Sequence, residues 1–171
     1  MRCKLSTAVL TAFLFSLTTA AHAIDASLYA STAETAIKLA KRGKARELDK
    51  LEAEVKALLR LGVEGCLEYA EENPTDAKMM HLVVLNSARI PKLPKEQVDA
   101  EWNRAGYLKS HGIDVDKYSI RATQLSLYFS VVRPATALAA IANFRRNQDG
   151  AALEKATDEL VDAAKRVASI K

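Results

Sequence analysis

Read as a string of apolar and polar positions, the chain shows helical periodicity almost throughout after its first two dozen residues. From about Ser27 to Arg42, Tyr29, Ala33, Ala36, Ile37 and Ala40 recur at helical spacing. Lys41 and Arg42 complement the negative end of that helix, and Gly43 is placed to take a left-handed cap. The second segment, Ala45 to Asn73, is the most regular. Leu48, Leu51, Val55, Leu58, Gly62, Gly65 and Tyr69 alternate three and four residues apart, so all seven fall on one stripe. Glu52 and Lys56 sit on the opposite face as an i,i+4 pair, and Pro74 ends the segment. Glycine at two successive stripe positions lowers helix propensity by up to about 1 kcal/mol each. Such positions suit a neighbouring helix that crosses closely.

A third, shorter helix is predicted from about Thr75 to Arg89, before Ile90-Pro91-Lys92-Leu93-Pro94 forces a linker. A fourth runs from about Lys95 to Ser110 on the spacing Val98, Trp102, Ala105 and Leu108, closing at His111-Gly112. Asp116 reads as the N-cap of a fifth, from about Lys117 to Asn147. That helix is apolar nearly all round between Leu125 and Phe144, which marks the centre of a fold; Arg133-Pro134 within it argues against a membrane span. Asp149-Gly150 then turns the chain into a sixth helix striped by Leu153, Thr157, Leu160, Ala164 and Val167. No strand-like alternation competes. The pattern predicts an all-α, antiparallel helical bundle of about four principal helices, with the third and fourth segments as a short helix pair.

The first residues change the address. Met1-Arg2-Cys3-Lys4 is basic, Leu5 to about Ala20 is apolar, and Ala21-His22-Ala23 reads as a small-x-small cleavage site. Residues 1–23 are therefore expected to be a cleaved signal peptide, and 24–171 a single helical domain that is periplasmic or secreted, with no integral membrane segment. Without Arg2 and Lys4 the 25 bases and 21 acids become 23 and 21, so the mature chain is close to neutral. Interleaved charges of that balance give no nucleic-acid footprint. Asn73-Pro74-Thr75 is barred from glycosylation by its proline, which favours a bacterial periplasm.

Chemistry is sparse. Cys66 is the one cysteine after residue 23, so no internal disulfide and no covalent haem can form there. It reads as a small buried hydrophobe; the alternative is an intermolecular disulfide that makes a homodimer. No Glu-x-x-His pair for a di-iron site, no Gly-x-Ser-x-Gly elbow and no glycine-rich phosphate loop occurs. The expectation is a non-catalytic protein with no cofactor and no metal. His81, set among methionines and valines, reads as a partly buried, hydrogen-bonded side chain.

Two features stand out against that plain background. Glu101 to Arg121 gathers Trp102, Tyr107, His111, Tyr118 and Arg121, aromatic and cationic groups of the kind that bind ligands or partner proteins at low entropic cost. The bland alternative is that the aromatics cap the end of the bundle. Arg133, inside an apolar helix, must reach solvent, find a carboxylate or anchor an anionic ligand, with Arg121 and Tyr128 on neighbouring turns. Pro134 also deprives the Ser130 carbonyl of its helical donor, which can bend the helix toward a pocket. The leading expectation is thus an exported binding module for a protein or small anionic ligand. Alternatives from other classes are a small hydrolase or metal protein around His81, His111 and Asp114, and a self-associating envelope protein built on the striped second and sixth helices.

Overall fold

A computed structural model describes residues 24–170. The expected leader, residues 1–23, lies outside the described residues. Seven α-helices follow in order: α1 Ala26–Arg42, α2 Leu48–Glu72, α3 Ala77–Asn86, α4 Lys95–Val98, α5 Gly106–Ser110, α6 Thr123–Asn147 and α7 Gly150–Val167. Among the described residues there is no strand, and the all-α class holds.

The four long helices α1, α2, α6 and α7 form the bundle. α1 packs on α2 and α7, and α6 packs on the same two, so the helices close a ring. Neighbours run antiparallel. Arg145 near the end of α6 reaches Asp49 at the start of α2, while Cys66 late in α2 meets the Leu127 carbonyl early in α6. The periodicity of the sequence is the cause, because each stripe becomes one wall of a shared interior. Leu51, Val55, Leu58 and Cys66 of α2 are buried with Tyr29, Ala33 and Ala36 of α1 and Ala156, Leu160 and Ala163 of α7. The stripes of α2 and α7 are used inside one bundle. α6 is buried on most sides, as its composition predicts. By length and hydropathy alone it would pass as a membrane span, and 72% of that stretch is buried inside the protein.

Helix ends follow local chemistry. Asp25 caps α1 by accepting from the Leu28 amide at 2.9 Å, and Gly43 takes the predicted left-handed turn at φ 60°. Asp149 caps α7 through the Ala151 amide at 3.0 Å. Each such cap is worth about 1 kcal/mol. The Glu52–Lys56 pair forms at 2.7 Å on the outer face of α2.

Two boundaries depart from the pattern. The fourth segment is not one helix: α4 passes into a π-helical turn, Asp99–Asn103, then Ala105 swings to φ 54° before α5 begins. Asp116 is not the cap of the fifth predicted helix. It sits in a 3₁₀ turn, Val115–Lys117, and its own amide donates to the Asp114 carboxylate, while α6 starts six residues later at Thr123. Tyr118 accounts for the delay, since its hydroxyl is drawn 2.8 Å from Asp76, at the far end of the α2–α3 turn, and the intervening chain stays out of the helix.

Candidate functional site

The sequence-predicted residues separate into three places. Trp102, Tyr107 and His111 stack in series, with centroids 4.7 Å and then 4.4 Å apart. Trp102 is fully buried, and Arg89 lies over the Tyr107 ring. The stack ends in solvent at His111, whose Nδ1 is 2.8 Å from the Tyr107 carbonyl. Lys78 of α3 donates to the His111 carbonyl at 2.7 Å, and Arg89 pairs with Glu101 at 3.1 Å, so these contacts tie the third and fourth segments together. Tyr128 of α6 donates its hydroxyl to the Trp102 carbonyl. Trp102 thus closes the side of the bundle, and only Tyr107 and His111 carry its stack outward.

Tyr118 belongs to a second cluster that the sequence did not announce. The Asp76 carboxylate accepts from Tyr118 at 2.8 Å, Gln124 at 2.8 Å and Tyr69 at 3.4 Å. Partial burial works against its charge, but the donated hydrogen bonds outweigh it and hold the carboxyl below the ordinary aspartate value. The converse holds for Tyr118, whose phenol is pushed up to about 12 by burial first and then by its bond to the carboxylate. Arg121, three residues on, is exposed.

Arg133 is the third place. Its guanidinium donates to Asp162 at 2.8 Å, Glu159 at 2.9 Å and Asn103 at 3.0 Å, and lies over the Phe129 ring at 4.7 Å. Arg166 covers the same ring at 4.1 Å and shares Asp162. The cation in the apolar helix is therefore met by acids of α7, which engage its Nε and Nη1 and balance its charge. Arg121 and Tyr128 do not join it.

Other expectations sort as simply. His81 is exposed, contrary to the reading of it as half-buried, because α3 turns its Met79, Met80 and Val83 face inward. No group of three or more His, Cys, Asp or Glu side chains among the described residues is placed to hold a metal ion, so His81, His111 and Asp114 do not converge. Cys66 is fully buried, donates to the Leu127 carbonyl at 3.5 Å, and has its thiol pushed up to about 12 by burial. A thiol in that setting is not poised as a nucleophile.

Compared with protein families, curated proteins and solved structures, the chain matches none.

Clefts lie elsewhere: one of about 480 Å³ between the end of α1, Phe144 and the start of α7, and two more on either side of Arg146 at the end of α6. One of these two, of about 340 Å³, runs between the Leu93–Val98 segment, α6 and the start of α7. Its floor is Leu93, Val98, Ala139, Ala140 and Ala152, and its rim carries Lys95, Lys155, Arg146 and Asp149. The other, of about 470 Å³, lies between α2, the Ala88–Lys92 segment and α6. Both volumes fall within the range of about 300–1,000 Å³ usual for small-molecule sites.

The charges on these rims are not equivalent. Lys95 and Lys155 share Asp99 at 3.1 and 3.5 Å, and Asp99 is held below its ordinary value because those cations and Asn103 outweigh its burial. Arg145 is taken by Asp49 and Glu52, and Lys56 by Glu52. Among the described residues, no carboxylate comes within ion-pair distance of Arg146 or Lys92. Arg146 escaped the sequence reading because basic residues in the last turn of a helix are expected on dipole grounds alone.

Proposed function

We propose that this chain is an exported, non-catalytic helical-bundle binding module that takes a small anionic ligand at Arg146. The observation that carries the reading is Arg146 itself, a guanidinium without a protein carboxylate, set between two apolar-floored clefts. An exposed cation is largely screened by solvent, so charge alone gives little affinity. An anion with an apolar body gains more, because its body leaves water on the cleft floor while the planar fork of the arginine holds its oxygens in two parallel hydrogen bonds. Export is supported by the basic, apolar and small-residue order of residues 1–23.

The test is a titration of the protein with phenylacetate, followed by the Arg146 side-chain resonance and the backbone amides of Lys92 and Ala142. Saturable shifts at those positions, weakened at least fivefold by Arg146→Ala, are expected. Shifts that ignore the substitution overturn the site. Sequencing the N-terminus of protein recovered from the extracytoplasmic fraction should give Ile24 first.

A second reading keeps Glu101 to Arg121 as a surface for a partner protein, favoured by the outward run of the stack from Trp102 to the exposed His111 and by Ile120 at 71% exposure. Tyr107→Ala with Ile120→Glu should then abolish a defined partner's binding while the titration above is unchanged.

A further inference from the structure

We infer that the ligand class is a single-chain alkyl carboxylate, with its headgroup between Lys92 and Arg146 and its tail in the larger cleft. This rests on the proposed binding at Arg146 and adds what the rest of the ligand must be. The wall and floor of that cleft are aliphatic: Leu59 from α2, Ala88 and Pro91 from the segment after α3, and Leu138 and Ala142 from α6. Lys92 and Arg146 line the same space, and they are its two cations without a protein carboxylate. Glu52, which also lines the cleft, is occupied by Lys56 and Arg145. Electrostatics therefore favour Lys92 and Arg146, the cations left free, as the partners of the one negative head.

The walls also decide against an extended peptide. Leu59, Leu138 and Ala142 lie in the middle of long helices, whose amides and carbonyls are engaged within their own helices. An extended peptide would bring its own amides and carbonyls against these helical walls and find no backbone partners on them. A hydrocarbon chain has no polar groups to satisfy. It gains by leaving water, at about 0.8 kcal/mol for each methylene fully buried.

The experiment is calorimetric titration of the whole protein with acetate, hexanoate and decanoate below their micellar concentrations, with decyltrimethylammonium as the opposite head on the same tail. Decanoate should bind once per chain and at least tenfold more tightly than hexanoate, and decyltrimethylammonium should not compete. Ala142→Trp, which fills the cleft from the α6 side, should weaken decanoate at least tenfold. Ala88→Trp does the same from the opposite wall should the first variant fold poorly. Lys92→Glu and Arg146→Glu should each reduce decanoate binding at least tenfold. Affinity that stays flat with chain length while Arg146→Glu still abolishes binding overturns the alkyl class and leaves the anion site standing. Binding that ignores Arg146→Glu, or decyltrimethylammonium that binds as well as decanoate, overturns both.

Discussion

Tyr29 donates its phenolic hydroxyl to the Ser130 carbonyl at 3.0 Å, across the bundle from α1 to α6. That carbonyl is the one whose helical donor would have been residue 134, and residue 134 is proline. The phenol is fully buried, and burial holds it protonated as a donor. A break in one helix is thereby mended by a side chain of another. Tyr29→Phe should leave the carbonyl unsatisfied and cost about 1–3 kcal/mol in urea unfolding. In a Pro134→Ala background, where an amide is available again, the same substitution should cost clearly less. Equal costs in both backgrounds would show that the proline and the phenol are unconnected.

The same carbonyl explains Gly62. A Cβ built there would lie 2.5 Å from the Ser130 oxygen and 2.8 Å from its carbonyl carbon, and main chain cannot swing aside as a side chain can. Gly62→Ala gains up to about 1 kcal/mol of helix propensity. It meets an overpacking penalty of about 1–3 kcal/mol or more, so net destabilisation is expected. A raised melting temperature for this variant would contradict the close approach of α2 and α6.

Asp76 gives a pH dependence of known sign. Its folded carboxyl lies below the ordinary 3.8, so it contributes stability above that value, and the contribution disappears as the pH falls through the folded value. Asp76→Asn should cost about 1 kcal/mol or more near neutrality, where the charge-assisted bonds from Tyr118 and Gln124 are intact. The difference from wild type should shrink as the pH is lowered through and below 3.8. Unfolding curves at pH 7, 5 and 3 measure this directly; a constant difference would mean the carboxylate charge is immaterial.

How far the sequence carries follows from which interactions are local. The stripe from Leu48 to Tyr69 and the cap at Gly43 were legible because burial in a helix repeats with the helix, and the cap is a property of one residue. The break after Val98 was hidden because the apolar spacing runs through it unbroken. Gly106 was the available signal: a Cβ there would come within 2.6 Å of the Ala100 carbonyl, which the π-helical turn brings close. The late start of α6 and the Asp76 cluster depend on partners 42 and 48 residues apart, beyond any local pattern. Arg133 was visible as an anomaly, but its partners lie 26 to 30 residues away, and only the packing of α6 against α7 and the π-helical turn could name them.

Those partners make the last prediction. Glu159 is nearly buried, and burial raises its carboxyl even though Arg133 pulls the other way at 2.9 Å. Arg133→Met keeps most of the packing over Phe129 but removes the counter-charge, which leaves Glu159 to be buried unpaired; Asp162 retains Arg166. Breaking such a pair costs about 3 kcal/mol near neutral pH. A folded value raised above the unfolded one means that the proton is bound more tightly in the native state. Stability is therefore greatest below the ordinary value of 4.5 and falls as the pH rises through the raised one. The variant should lose stability more steeply than wild type between pH 5 and 8, and Arg133→Met with Glu159→Gln should recover much of the loss and flatten the slope. A variant whose stability does not change across that range would mean that Glu159 finds water when Arg133 is gone, and that the α6–α7 seam is looser than its hydrogen bonds imply.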